Sequence, residues 1–200
     1  REDQQVKQSF GFLDNENKPD FLDYIANAAE ANNYGFELET TYALTNTINW
    51  NTSLGYLKTE FTDFSFEAVD PADETQTITI NKDGRELAHA PQWSLSSSIN
   101  IKFTNQLSTV VEIEGKDAFY FSDSHDVQSS DYALLHAKLE YTNKNLTISL
   151  DGRNLTNKDN TNRGFWFGKY GNDPRKFYAP EPYTQLGAPR LISLSARYDF

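Results

Sequence analysis

The 200-residue chain contains no cysteine and no methionine. The first absence removes disulfide and thiolate chemistry, and with it any reading of redox compartment. The second predicts a processed product or a fragment, since a translated chain starts with Met, and no charged-then-apolar signal peptide opens the sequence. Long apolar runs are also missing. Hydrophobic residues make up 38% and the mean hydropathy is -0.68, so no stretch approaches the roughly 20 apolar residues of a spanning helix. Positive charge is scarce: 18 Lys and Arg face 29 Asp and Glu, and the net charge of -11 argues against a nucleic-acid partner and against docking on anionic lipid.

What the chain does have is alternation. In the closing residues Ile192, Leu194, Ala196, Tyr198 and Phe200 fall on one face, and Ser193, Ser195, Arg197 and Asp199 on the other, as successive strand side chains must. The same period of two recurs over 36–44, 48–56, 93–103, 107–116, 133–141 and 146–153, with Val110 the one apolar residue on the wet face of its segment. No 3.6-residue period appears, and the Ala-rich stretch 27–32 reads as strand or loop. With residues 1–12 supplying the first, about eight strands are predicted. A sheet that is oily on one face and wet on the other suits a membrane barrel: only alternate residues meet lipid, so mean hydropathy stays low. The expected fold is all-β, one antiparallel meander with an apolar convex face and a polar concave face.

The connections alternate in length. Thr45-Asn46-Thr47, Thr104-Asn105-Gln106 and Asn143-Lys144-Asn145 are tight polar turns, whereas 13–23, 63–90, 122–129 and 157–188 read as long connections. Short turns on one side and long loops on the other is the asymmetry of an outer-membrane barrel. Tyr42, Trp50, Phe103, Tyr141, Tyr198 and Phe200 all fall on the apolar face at the short-turn ends, which predicts one interfacial aromatic girdle.

Two groups of residues carry a family resemblance. Gly152-Arg153-Asn154-Leu155-Thr156-Asn157-Lys158-Asp159, then Arg163-Gly164-Phe165, then Gln185-Leu186-Gly187-Ala188-Pro189-Arg190 before the closing strand, together resemble the C-terminal end of TonB-dependent outer-membrane receptors. Gly35-Phe36-Glu37-Leu38-Glu39 and Gly55-Tyr56-Leu57 resemble that family's recurring Gly-x-Glu strand and its partner. The family often has an aromatic where Asn160 stands. No plug domain and no TonB-contacting box are present, so residues 1–200 are expected to be the C-terminal portion of the receptor barrel, an arc of a larger transmembrane barrel. Barrels of this transporter type have about 22 strands around a plugged lumen. An isolated arc would leave backbone groups unsatisfied in hydrocarbon, at several kcal/mol each.

The resemblance implies a bacterial outer-membrane location and active uptake of a scarce small-molecule nutrient, a ferric siderophore foremost, with cobalamin and oligosaccharide behind it. Implied partners are outer-membrane lipid, the N-terminal plug and remaining strands of the same protein, the TonB complex reached through the missing N-terminal part, and the barrel assembly machinery. Tyr198 and Phe200 are the expected C-terminal assembly signal. No cofactor is expected.

For ligand contact the best candidates are Trp166, Tyr170, Arg175, Lys176 and Tyr178 in the last long connection, because aromatic faces can stack on sugars or catecholate rings and cations can hold an anionic ferric chelate. The neighbouring Phe165 and Phe167 could equally anchor or pack the loop. Asp123-Ser124-His125-Asp126 could be drawn as a metal site, but a solvated loop explains it as well, and no metal is expected; His89 and His136 are the other histidines. Neither a nucleophile elbow nor a phosphate loop is present, and chance carboxylate pairs are unavoidable in so acidic a chain, so no enzyme is expected. The inward charges Glu112, Glu114, Lys138, Glu140, Arg153 and Arg197 could pair with a plug or simply solvate a lumen. Asp83-Gly84-Arg85 and Asp151-Gly152-Arg153 repeat a tripeptide, one expected at a turn and one in a strand, with no shared role. A complete eight-stranded barrel with a structural or adhesive role is the alternative, and a secreted β-sandwich carbohydrate-active enzyme is a third reading that the girdle disfavours.

Overall fold

The computed structural model describes residues 2–13, 19–69, 76–123, 125–167 and 181–200, with side chains over 30–67, 76–123, 125–164 and 183–200. Eight strands form one antiparallel sheet: β1 (Glu2–Leu13), β2 (Pro19–Ala43), β3 (Ile48–Asp63), β6 (Trp93–Lys102), β7 (Leu107–Lys116), β8 (Tyr132–Asn143), β9 (Leu146–Arg153) and β12 (Leu191–Tyr198). Two further hairpins are inserted into the long connections, β4 (Ser65–Val69) with β5 (Thr77–Asn81), and β10 (Thr161–Phe167) with β11 (Glu181–Leu186). Apart from these insertions the sheet runs in chain order, and among the described residues β1 and β12 each pair on one side only.

The register turns the alternation into two continuous surfaces. One rung reads Tyr42, Trp50, Ile99, Val111, Ala137, Gly152, Ile192 across successive strands. The adjacent rung reads Thr41, Asn51, Ser98, Glu112, His136. Large apolar side chains on the first surface stay open, among them Trp50 at 38% and Leu194 at 74%. A contiguous exposed apolar face of this extent marks an interaction with another protein or a membrane. Polar groups on it are satisfied within the sheet: the Trp50 indole N–H donates to Ser97 Oγ at 2.9 Å, and Thr109 Oγ1 donates to the Lys138 carbonyl at 2.8 Å. The opposite surface holds two depressions, one of about 430 Å³ lined chiefly by Glu39, Thr41, Asn51, Ser53, Ser96 and Ser98, the other of about 170 Å³ between Ser94 and Tyr132.

The tight turns are built as their residues dictate. Thr104 Oγ1 accepts from Gln106 N and Leu107 N at 3.1 and 3.0 Å, and Thr45 Oγ1 accepts from Thr47 N at 3.1 Å, the hydroxyl standing in for a backbone acceptor. Lys144 turns β8 into β9 with φ 51°.

The long connections differ from expectation in three places. The predicted loop 13–23 shrinks, because β1 and β2 pair out to Leu13 opposite Pro19. Proline is tolerated as the first residue of a strand, where its missing N–H is not required by the ladder. Connections 63–90 and 157–188 are not plain loops but contain the β4–β5 and β10–β11 hairpins. Stretch 27–32 is strand, within β2.

Only a small core exists among the described residues, and it sits at the long-connection end: Ala31, Phe61 and Phe64, with Phe66 and Leu87 packed against it. The Phe61 and Phe64 rings meet at a tilt of 39° with 4.6 Å between centroids. Here β2 and β3 run past the apolar band and bury residues among themselves and the inserted segment.

Candidate functional site: the long-connection end

Aromatics bound the apolar surface at both ends. At the short-turn end lie Tyr42, Trp50, Phe103, Tyr141 and Tyr198, and beyond them Phe200, whose ring meets Tyr198 edge-on at 5.1 Å. Asp199 ties this terminus down: its N–H donates to the Asn145 carbonyl at 2.9 Å, and its carbonyl accepts from Asn145 Nδ2 at 2.7 Å. At the opposite end Phe36, Tyr56 and Trp93 form a second cluster, with Tyr56 and Trp93 at 4.7 Å and Phe36 edge-on to Trp93 at 6.0 Å. The sequence reading missed this cluster, although its members lie on the same apolar alternation. From Trp93 to Phe103 the strand climbs roughly 33 Å at about 3.3 Å per residue. Tilted by about 40°, that is a height of roughly 25 Å, the thickness of a barrel's lipid-facing band. Just beyond Trp93 the surface turns polar, with Lys58 Nζ 3.3 Å from Glu86 and Gln92 Nε2 donating to the same carboxylate at 3.1 Å.

Past that boundary the three long connections pack on one another. Arg85, with its side chain 8% exposed, reaches from the β5–β6 segment into the 117–131 connection. It donates to the carbonyls of Ser122 and His125 and to Asp126 Oδ1, the last two at 3.0 Å, while its guanidinium lies 4.3 Å from the centre of the Tyr120 ring. Lys82 Nζ reaches the same Asp126 oxygen at 2.7 Å. Burial pushes the Asp126 carboxyl up, but Lys82 and Arg85 outweigh it and hold the group below the ordinary carboxylate value. Burial first, and then the Arg85 cation, hold the His125 ring below the usual histidine value. Asp83 is also held low, by the Phe64 N–H at 2.7 Å and by Asn81. Ala88 N donates to Asp123 Oδ1 at 2.8 Å. The carboxylates of the 123–126 stretch are therefore engaged by cations and backbone, and among the described residues no group of His, Asp and Glu is arranged to hold a metal. Asp83-Gly84-Arg85 sits at a turn, with Gly84 at φ 79°, and Asp151-Gly152-Arg153 closes β9, as the sequence indicated.

The Asn-Leu-Thr-Asn-Lys and Gly-Ala-Pro-Arg elements prove to be two halves of one clasp. Asn154, buried and at φ 46°, accepts from Lys158 N at 2.9 Å and donates to the carbonyls of Lys158 and Ala188 at 2.9 and 3.0 Å. Asn157 Oδ1 accepts from Arg190 N at 3.0 Å. Asn160 lies over Gly187, where a Cβ would come within 2.6 Å of its Cγ, and Gly187 N donates to its carbonyl at 2.8 Å. A small amide is thus seated against a residue without a side chain. His136 Nδ1 accepts from Asn154 N at 3.3 Å and its Nε2 lies 3.7 Å from Glu114, so the clasp is tied to the polar face.

Of the predicted contact residues, Tyr170, Arg175, Lys176 and Tyr178 lie outside the described residues. Trp166 is placed by its backbone, opposite Pro182 in the β10–β11 ladder, and its side chain lies outside the description. The sequence reading missed Lys82, Arg85 and Phe121. Only Arg85 carried a signal, as part of the repeated tripeptide.

An open meander with a lipid-compatible face, a polar face and long connections gathered at one end is the geometry of part of a receptor barrel. The sequence profile described as "TonB dependent receptor-like, beta-barrel" matches residues 3–155. The chain belongs to the TonB-dependent receptor family. No curated protein matches it by sequence. Among solved structures it is similar in fold to the siderophore receptor PiuA from Acinetobacter baumannii, with 18% identity and a TM-score of 0.66 over 87% of this chain and 22% of that one. It is also similar to the ferric yersiniabactin uptake receptor FyuA from Yersinia pestis, with 19% identity and a TM-score of 0.67 over 88% of this chain and 25% of that one. The ferric preacinetobactin receptor BauA from Acinetobacter baumannii is 18% identical with a TM-score of 0.54 over 98% of this chain and 26% of that one. The chain therefore spans about a quarter of the length of these solved receptors.

Proposed function

We propose that residues 1–200 form the C-terminal arc of the barrel of a Gram-negative outer-membrane receptor that imports a scarce nutrient, a ferric siderophore foremost, with energy delivered through TonB. The observation carrying this reading is the family match over 3–155 on a sheet with one lipid-compatible face and one polar face. The names of the similar structures, all iron-chelate or siderophore receptors, favour that cargo over cobalamin or oligosaccharide. In this reading the apolar face meets lipid, the polar face meets a plug from the same protein, and the free edges of β1 and β12 meet other barrel strands. TonB is reached through the N-terminal part of the receptor, and the assembly machinery reads the Tyr198 and Phe200 end. The open sheet supports an arc over a complete eight-stranded barrel with an adhesive role.

Ligand contact is assigned to Trp166, Tyr170, Arg175, Lys176 and Tyr178, because they belong to the connection whose described strands, β10 and β11, lie at the long-connection end. Aromatic contacts contribute about 1 kcal/mol each and charge-assisted hydrogen bonds about 1.5 to 3 kcal/mol. Replacing Trp166 and Arg175 together with Ala in the complete receptor should weaken binding of its ferric chelate at least tenfold, about 1.4 kcal/mol or more. Correct insertion is checked first by the heat-dependent shift of the folded barrel on a gel. Unchanged affinity in the inserted double variant would move the ligand site to the plug or to other strands.

A further inference from the structure

Three observations meet in the connection between β7 and β8. On one side Arg85 threads into it and fastens two of its carbonyls and one carboxylate, with Lys82 on the same carboxylate. Inside the connection, Ser129 N donates to the Phe119 carbonyl at 2.9 Å and Phe119 N donates to Ser129 Oγ at 3.0 Å, Phe121 N donates to the Val127 carbonyl at 3.1 Å, and the Phe119 and Phe121 rings meet edge-on at 5.7 Å. On the other side the buried Phe121 ring fills the space where Gly164 of β10 has no side chain, and a Cβ there would come within 2.6 Å of Phe121 Cγ. A buried ring seated on bare backbone transmits position because close-packed contacts do not deform continuously.

We propose that the three long connections form one joined cap, in which Arg85 positions the β10–β11 hairpin through Phe121. The 117–131 connection is the middle piece. Arg85 is the latch that holds it, and the Phe121 ring over Gly164 is the joint to the hairpin. Arg85 suits the latch because its planar fork satisfies several acceptors at once while its face stacks on Tyr120, which the compact ammonium of a lysine cannot do. Taking it away removes the guanidinium donors to the Ser122 and His125 carbonyls and leaves Lys82 alone against Asp126. The joint requires glycine at position 164, since any side chain would displace the ring. This inference does not depend on what the receptor imports.

The test is amide hydrogen exchange on the complete receptor, read by mass spectrometry over peptides covering 117–131, 183–187 and, as an internal reference, 93–102. Arg85→Ala is expected to raise exchange at least tenfold in both 117–131 and 183–187 while 93–102 is unchanged. Should Arg85→Ala fail to insert, Arg85→Lys keeps the charge but not the fork and is expected to loosen the same two regions by a smaller factor. Gly164→Ala is expected to loosen 117–131 as well as 183–187, and adding Phe121→Ala to it should bring no further rise, because the collision and the ring disappear together. Exchange that rises in 117–131 alone on substituting Arg85 would show that the connections open independently and would overturn the proposal. So would a Gly164→Ala receptor indistinguishable from the parent.

Discussion

Asn154 does with one side chain what its neighbourhood does with several. Its left-handed backbone lets the chain leave β9, and its amide closes on Lys158 and on Ala188 from the far side of the last connection. Asn154→Ala removes all three of these bonds from a buried amide, so a loss of about 1 to 3 kcal/mol is expected, read as a lower urea midpoint for the complete receptor in lipid. Asn154→Asp keeps the bond from Lys158 N and loses the two donated ones, and should fall between. The motif itself was legible in the sequence. Its purpose was not, because the partner carbonyl belongs to Ala188 and spacing says nothing about which distant residues meet. His125 makes a second residue-scale case. Its folded pKa is depressed below 6.5 by burial and by Arg85, so between the two values the unfolded connection binds more protons. Stability from this ring is complete above about pH 6.5 and declines as pH drops through the folded value. Asp126 acts in the same direction at lower pH, contributing above its ordinary 3.8 and losing that contribution as pH falls through its lower folded value. Exchange in 117–131, corrected for intrinsic rate, should therefore increase between about pH 7.5 and about pH 5.5, and His125→Gln should flatten the increase.

At the scale of elements, a period of two proved sufficient. Rungs such as Trp50, Ile99, Val111 and Ala137 beside Asn51, Ser98, Glu112 and His136 follow from alternation, since a one-residue slip would reverse every side chain. Val111 lies midway along β7 on the apolar face. Val111→Arg should destabilise the receptor in lipid by about 2 to 4 kcal/mol, the cost of an arginine at the bilayer midplane, whereas Ser98→Arg on the polar face should cost far less. Equal losses in urea titrations of the two variants would contradict the assignment of faces. The inserted hairpins escaped the sequence reading because β4, β5 and β11 are five or six residues long and flanked by turn-forming residues. The Pro19 boundary misled for a related reason: proline can begin a strand as well as end a loop.

For the molecule as a whole, the aromatic end of β12 is the feature that the rest of the sheet does not require. Phe200 is wholly exposed and adds nothing to the packing of the described residues beyond its contact with Tyr198. Phe200→Asp should therefore leave ligand affinity untouched in receptor that reaches the surface while reducing how much reaches it, measured by surface labelling against total receptor. Undiminished surface levels would remove the assembly role. The meander has a further consequence, in time rather than in space. The turns 44–47, 103–106 and 144–145 let their strands meet early, because closing so short a loop takes on the order of 10 to 100 ns. Bringing β12 back to β9 across residues 154–190 costs about 2 kcal/mol more in closure entropy than such a turn does. Formed ahead of that ladder, the Asn154 and Ala188 contact, with the β10–β11 hairpin folded between, would remove most of that span. The clasp is thus a shortcut along the folding route as well as a fastening: a receptor weakened there should lose rate in acquiring its last ladder before it loses anything that the finished barrel does.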